Sequence, residues 1–136
     1  MDFKLDISGL DALKNASNEE LDKIDMGAIG ALITASVKSE FDASQDPFGN
    51  PWAALKRPRP KSRNQNNKPL LDTGKLKNSF SYRVLNANTV EIGTSVSYAP
   101  YHQRGTSKMP ARKMLPETSI PQAWGNIITA YFKSLK

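Results

Sequence analysis

The sequence predicts an α+β fold: a long N-terminal helix and a C-terminal helix packed on a small antiparallel sheet, with a long basic loop between them. Three observations carry this reading. Residues from about 18 to 42 place apolar side chains at a 3.6-residue period and contain no proline. Residues 120–135 show the same period on one face. Three short segments instead alternate apolar and polar residues, the period-2 mark of half-buried strands.

The first of those segments is Phe3-Lys4-Leu5-Asp6-Ile7, broken by Ser8-Gly9. Leu10 and Leu13 then fit one or two helical turns. Ser17-Asn18-Glu19-Glu20 matches a capping box, in which a serine oxygen and a glutamate satisfy orphan amides at a helix start. The helix that follows runs on to about Asp42, some 25 residues and about 37 Å, longer than the usual globular helix. Its apolar side chains fall into two stripes. Leu21, Ile24, Ala28, Leu32 and Ala35 form one; Met26, Ile33, Val37 and Phe41 form the other, with Gly30 among them and Ile29 between the stripes. A helix lying on one sheet needs an apolar face only a little over 100° wide. Two stripes call for two partners: the sheet, and then a second helix or a neighbouring subunit. Gly27 and Gly30 each cost about 1 kcal/mol against alanine in a helix interior, so either they are simply tolerated or Gly30 permits a close backbone approach on the second stripe.

Asp46-Pro47-Phe48-Gly49-Asn50-Pro51 is a turn cluster, since proline fixes φ and glycine admits positive φ. From Lys56 to Pro69 the only apolar residues are prolines, so the segment cannot offset its ordering entropy and is expected as an exposed, mobile loop (about 56–69) within a single domain of residues 1–136. A short helix is expected within 70–79, with Leu71 and Leu76 inward. Phe80-Tyr82-Val84 and Val90-Ile92 are two strands joined at Asn86-Ala87-Asn88. Tyr98 to Gln103 reads as a helical turn closed by Gly105, and Lys113-Met114-Leu115 as a further short strand. Thr118 or Ser119 is expected to cap the last helix, whose inner face is Ile120, Trp124, Ile127, Ile128, Tyr131, Phe132 and Leu135.

Composition narrows the function. With 136 residues the chain fits one domain on the usual prior of about 100–200 residues. It has no cysteine, which excludes disulfides, thiolate metal sites and a cysteine nucleophile. One histidine, His102, leaves no multi-histidine metal site. No apolar run approaches the roughly 20 residues of a membrane helix, and the start lacks a signal-peptide pattern, so a cytoplasmic, soluble protein is expected. The net charge of +6 is unevenly spread. Residues 1–55 carry 4 basic and 10 acidic side chains, residues 56–83 carry 9 and 1, and residues 84–136 carry 6 and 2. Such a split favours an anionic partner for the basic segment or head-to-tail association between copies.

No residue pattern assembles a catalytic constellation. His102 lacks a positioned acid or nucleophile in the sequence and is expected as a structural, hydrogen-bonding residue; Asp72 and Glu91 fit surface roles. No metal ligand set and no cofactor is expected, and the chain reads as non-enzymatic. Arg57, Arg59, Lys61 and Arg63 are the candidate partner-contacting charges, on an acidic protein surface or on nucleic acid. Lys56–Lys68 has no interleaved aromatic for base stacking, which weighs against a single-strand binder. Phe48 and Trp52, beside that loop, either cap the core or anchor a subunit interface.

The ordered motifs Pro47-Phe48-Gly49, Trp52, Leu55, Leu71, Thr73-Gly74, Leu76, Ser79, Ile92-Gly93-Thr94, Tyr98-Ala99, His102-Gln103, Gly105, Pro110-Ala111-Arg112 and Leu115 together resemble the phage virion morphogenesis family, the tail-completion proteins of Mu-like tailed phages. The chain departs from that pattern at Lys77, where an arginine is expected, and after Arg112. The resemblance implies a non-enzymatic virion component. It would form a ring with copies of itself at the head–tail junction or tail top and dock to other neck or tail proteins. It would be made in the bacterial host cytoplasm during assembly. A basic module contacting DNA through residues 56–68 is the alternative.

Overall fold

The computed structural model describes residues 1–56, 68–71 and 74–135. The order is β1 (Asp2–Asp6), a single 3-10 turn (Asp11–Leu13), α1 (Asn18–Asp22), α2 (Met26–Ala43), α3 (Lys75–Asn78), β2 (Ser81–Asn86), β3 (Thr89–Gly93), α4 (Ala99–Arg104) and α5 (Gln122–Ser134). The α+β class is the observed one. The basic loop positions Arg57, Arg59, Lys61 and Arg63, like Asp72, lie outside the described residues.

The three strands form one antiparallel sheet in the order β1-β3-β2. Phe3 pairs with Ile92 and Leu5 with Val90 on one side of β3; Tyr82 pairs with Ile92 and Val84 with Val90 on the other. Alternation therefore sends all six apolar side chains to one face, where α2 lies across β2 and β3. The opposite face carries Lys4, Glu91 and Arg83, the last two joined at 3.1 Å. An irregularity between Val84 and Asn86 ends the regular pairing just before the Ala87–Asn88 turn.

The long helix of the sequence is two helices. Ser17 caps α1 as expected, its hydroxyl oxygen accepting the Glu20 amide at 3.1 Å. The chain leaves helical geometry at Asp25, which restarts it: its carboxylate accepts the Gly27 amide at 2.8 Å and caps α2. An aspartate two residues before a glycine supplies a cap that outcompetes continuation of the first helix. The Tyr131 hydroxyl takes the Asp25 amide that the break exposes, at 3.0 Å.

Of the two stripes, only the second is buried inside the chain. Met26, Gly30, Ile33, Val37 and Phe41 are in the core with Ile29. Gly30 sits where the helix meets the sheet. A Cβ there would lie 2.6 Å from the Tyr82 ring and 2.9 Å from a Val90 methyl, so only glycine admits this approach. α5 supplies Trp124, Ile128 and Phe132 to the same core and packs on α2; Phe3 meets Trp124 edge-on at 5.7 Å. α5 starts at Gln122 after Pro121, later than a Thr118 or Ser119 cap would place it.

Residues 113–115 are not a strand. The Gln103 side chain occupies the backbone groups a strand partner would use. Its Oε1 accepts the Met114 and Leu115 amides at 2.8 and 3.2 Å, and its Nε2 donates to the Leu115 carbonyl at 2.7 Å. A single buried amide thus replaces a strand edge.

A candidate assembly surface

The motif residues scattered over the sequence converge at the C-terminal end of α2. Ser44, at φ 55°, stops the helix, and its carbonyl accepts the Trp52 amide at 2.8 Å. Between them Asp46 organises a tight turn. Its carboxylate accepts the Phe48 and Asn50 amides, each at 2.9 Å, while Gly49 takes φ 89°. The turn carries Phe48 outward, 50% exposed, and Trp52 inward. Trp52 packs edge-on against Phe41 at 5.4 Å and donates its indole N–H to the Lys113 carbonyl at 2.8 Å. It offers a partner little surface, whereas Phe48 is held rigidly in solvent.

Arg112 fastens the same region. Buried as a whole residue, it donates from Nε to the Ala53 carbonyl at 2.8 Å and from a terminal nitrogen to the Ala54 carbonyl at 3.2 Å. Its own amide donates to the His102 carbonyl at 2.7 Å. Gly105, at φ 78°, turns the chain so closely under Ala111 that a Cβ would lie 2.6 Å from the Ala111 nitrogen. At the near end of the sheet the Ser79 and Thr94 hydroxyls share a 2.6 Å hydrogen bond. Trp52, His102, Gln103, Gly105 and Arg112 therefore act together as a clamp between the 44–54 turn, α4 and the segment after it, with the Ser79–Thr94 bond fastening α3 to the end of β3.

His102 stacks edge-on with Tyr98 at 5.9 Å, and its Nδ1 is buried without a hydrogen-bond partner. Burial, and then the Arg112 charge, hold its imidazole below its ordinary pKa, favouring the neutral ring. Its contribution is a ring contact and a backbone carbonyl rather than the side-chain hydrogen bond expected from sequence. Glu91 lies on the open sheet face with Arg83. Among the described residues no group of three or more acidic, histidine or cysteine side chains is arranged to hold a metal. No helix among them is long and apolar enough to cross a membrane.

Glu40 escaped the sequence reading. It lies on the buried side of α2, 5% exposed, and neither carboxylate oxygen has a hydrogen-bond partner. Desolvation, with the nearby Asp46 charge adding to it, pushes its pKa up to about 10, so the folded protein holds it as a neutral acid at pH 7. A helical wheel drawn from Met26 places Glu40 beside Ile33 and Val37, the one available signal.

A family model of the phage virion morphogenesis family matches residues 8–123. The chain belongs to that family. The match begins just after β1, spans the sheet hairpin and the clamp, and reaches the start of α5. No curated protein and no solved structure gives a match. As a member of the phage virion morphogenesis family, the protein has a structural role in building a phage particle. The clamp is consistent with that role, because it ties the 44–54 turn, α4 and residues 111–115 into one fixed shape.

The family member also leaves apolar surface uncovered. Leu21 and Leu32 of the first stripe stay exposed, as does Ala35, while α2 buries its other side on the sheet. The edge strand β2 is exposed along its whole length, Tyr82 and Val84 included. Ile24 of the same stripe packs partly against the core, and among the described residues nothing covers Leu21, Leu32 and Ala35.

Proposed function

We propose that this virion morphogenesis protein acts in tail completion or head–tail joining, as a non-enzymatic subunit of a ring. Its partners are copies of itself and the neighbouring neck or tail proteins. The exposed part of the first stripe, Leu21 on α1 with Leu32 and Ala35 on α2, carries the reading. Exposed apolar faces of this kind mark interaction sites on soluble proteins, and a ring subunit must offer its neighbour two different patches. Phe48, projecting from a turn fixed by Asp46, is a second anchor of the type enriched in interfaces, directed to a neck or tail protein.

The test is the position of the protein in a finished particle. A tag on the C-terminus, visualised by electron microscopy of assembled phage, is expected at the neck or the top of the tail. Label along the tail tube or at its far tip, or none on complete particles, refutes the proposal. The DNA-binding alternative rests on Arg57, Arg59, Lys61 and Arg63. It requires duplex binding that weakens with the logarithm of salt concentration, and no binding at low salt removes it.

A further inference from the structure

We infer that the apolar surface between α1, α2 and the edge strand β2 is the seat for a second copy of this chain, which enters with the end carrying Tyr101, Arg104 and Lys108. The inference rests on the ring reading and names the surfaces that would make it.

The surface is continuous. Leu21, Ile24, Gly27 and Val84 line one open cleft with Asn86 and Ala87 at the hairpin end of the sheet. Tyr82, next on the same face of β2, lies over Gly30 of α2. From there the helix turns outward through Ala31 and Ala35, both exposed, to Leu32, 43% exposed. The outer edge of β2 bonds no further strand among the described residues.

Charge selects the occupant. The segment that supplies the rim is acidic: residues 6–25 hold six carboxylates and two lysines, and Asp22 and Asp25 line the cleft itself. Of these Lys14 is already paired with Asp11 at 2.8 Å, and Glu19 and Asp22 are exposed. Lys133, two residues beyond the Tyr131 that bonds Asp25, leaves this end net acidic. α2 runs away from it over 18 residues, about 27 Å, to the end held by Lys77 and Asp42 at 3.2 Å. That far end is basic. Arg104 and Lys108 are exposed there, while among the described residues the nearby acids Asp42, Asp46 and Glu117 are engaged, with Lys77, within the 46–50 turn and with Lys113 at 3.4 Å, and Asp2 stays open. Tyr101, one helical turn before Arg104 on α4, is 52% exposed. An aromatic beside cations fits an apolar cleft edged by carboxylates. Because the two patches lie at opposite ends of α2, the contact is head-to-tail and repeats from copy to copy.

Sedimentation velocity at low ionic strength tests this with two charge-reversed proteins. One carries Glu19→Arg and Asp22→Arg, the other Arg104→Glu and Lys108→Glu. The wild-type chain is expected to self-associate and to dissociate as salt is added. Each reversed protein alone is expected to associate at least about tenfold more weakly, and an equimolar mixture of the two to recover association, since reversed ends now match. Val84→Glu is expected to abolish association without rescue by either reversal. If both reversed proteins assemble like wild type, or their mixture stays apart, the inference is wrong while the ring reading stands. A wild-type chain that remains monomeric at every concentration overturns both.

Discussion

Replacing Gly30 by alanine sets two opposing effects against each other at one atom. In a helix interior alanine is favoured over glycine by about 1 kcal/mol. At Gly30, however, the added Cβ would lie 2.6 and 2.7 Å from two atoms of the Tyr82 ring and 2.9 Å from a Val90 methyl. Comfortable carbon contacts are about 3.5–4.0 Å, so α2 must lift from the sheet by nearly 1 Å or Tyr82 must leave its place. Val90 is fully buried at the sheet centre and β-branched, and has no alternative position. Overpacking of this kind costs about 1–3 kcal/mol, which leaves Gly30→Ala destabilised by up to about 2 kcal/mol. Gly125 in α5 is the control. A Cβ there meets nothing within 4 Å, so Gly125→Ala keeps the helical gain and stabilises by about 0.5–1 kcal/mol. Urea unfolding followed by the fluorescence of buried Trp52 and Trp124 reads both signs. Adding Tyr82→Ala to Gly30→Ala should recover part of the loss, because two of the three close atoms belong to that ring. A Gly30→Ala protein as stable as Gly125→Ala would refute the claim that helix and sheet touch at this glycine.

Four further outcomes follow from the same structure. Glu40 has a folded-state pKa of about 10 against 4.5 for the free side chain, so between those values the folded chain holds a proton the unfolded chain releases, and stability falls as pH rises. Glu40→Gln should flatten that slope and stabilise the protein at pH 7 by up to about 3 kcal/mol; parallel profiles for the two proteins in urea unfolding at pH 5, 7 and 9 would show the acid is not buried as described. Gln103→Ala leaves the Met114 and Leu115 amides without their acceptor and should cost about 2–4 kcal/mol, with hydrogen exchange at those two amides accelerating first. Arg112→Lys cannot reach the Ala53 and Ala54 carbonyls together and should lower the melting temperature by roughly 3–6 °C, so an unchanged melt would mean the fork is dispensable. Serine at Arg57, Arg59, Lys61 and Arg63 should leave the melting curve intact and block particle completion; normal tails in its presence would remove these residues as partner contacts.

Much of this protein was legible in the residue order because local signals there agree with the tertiary outcome. Period-2 runs gave β1, β2 and β3, since one sheet face is buried and the other open. The Ser17 capping box, the Gly105 turn and the inner face of α5 were also local, fixed by backbone chemistry or by helical spacing. The two stripes of α2 were visible as a pattern, and so was the split of charge along the chain. What the chain order could not decide was which stripe its own core would take, because that depends on how many elements return to cover the helix. Gly30 against Tyr82 answers it: the second stripe meets the sheet, and Leu21, Leu32 and Ala35 of the first stay exposed. The break at Asp25 was hidden because helical periodicity continues through it, and only the cap and the Tyr131 hydroxyl reveal the restart. Gln103 in place of a strand at 113–115, and an unpaired acid at Glu40, arise from contacts between distant segments. Composition set the chemistry available to this chain; the packing of α2 decided which of its surfaces remained to be used.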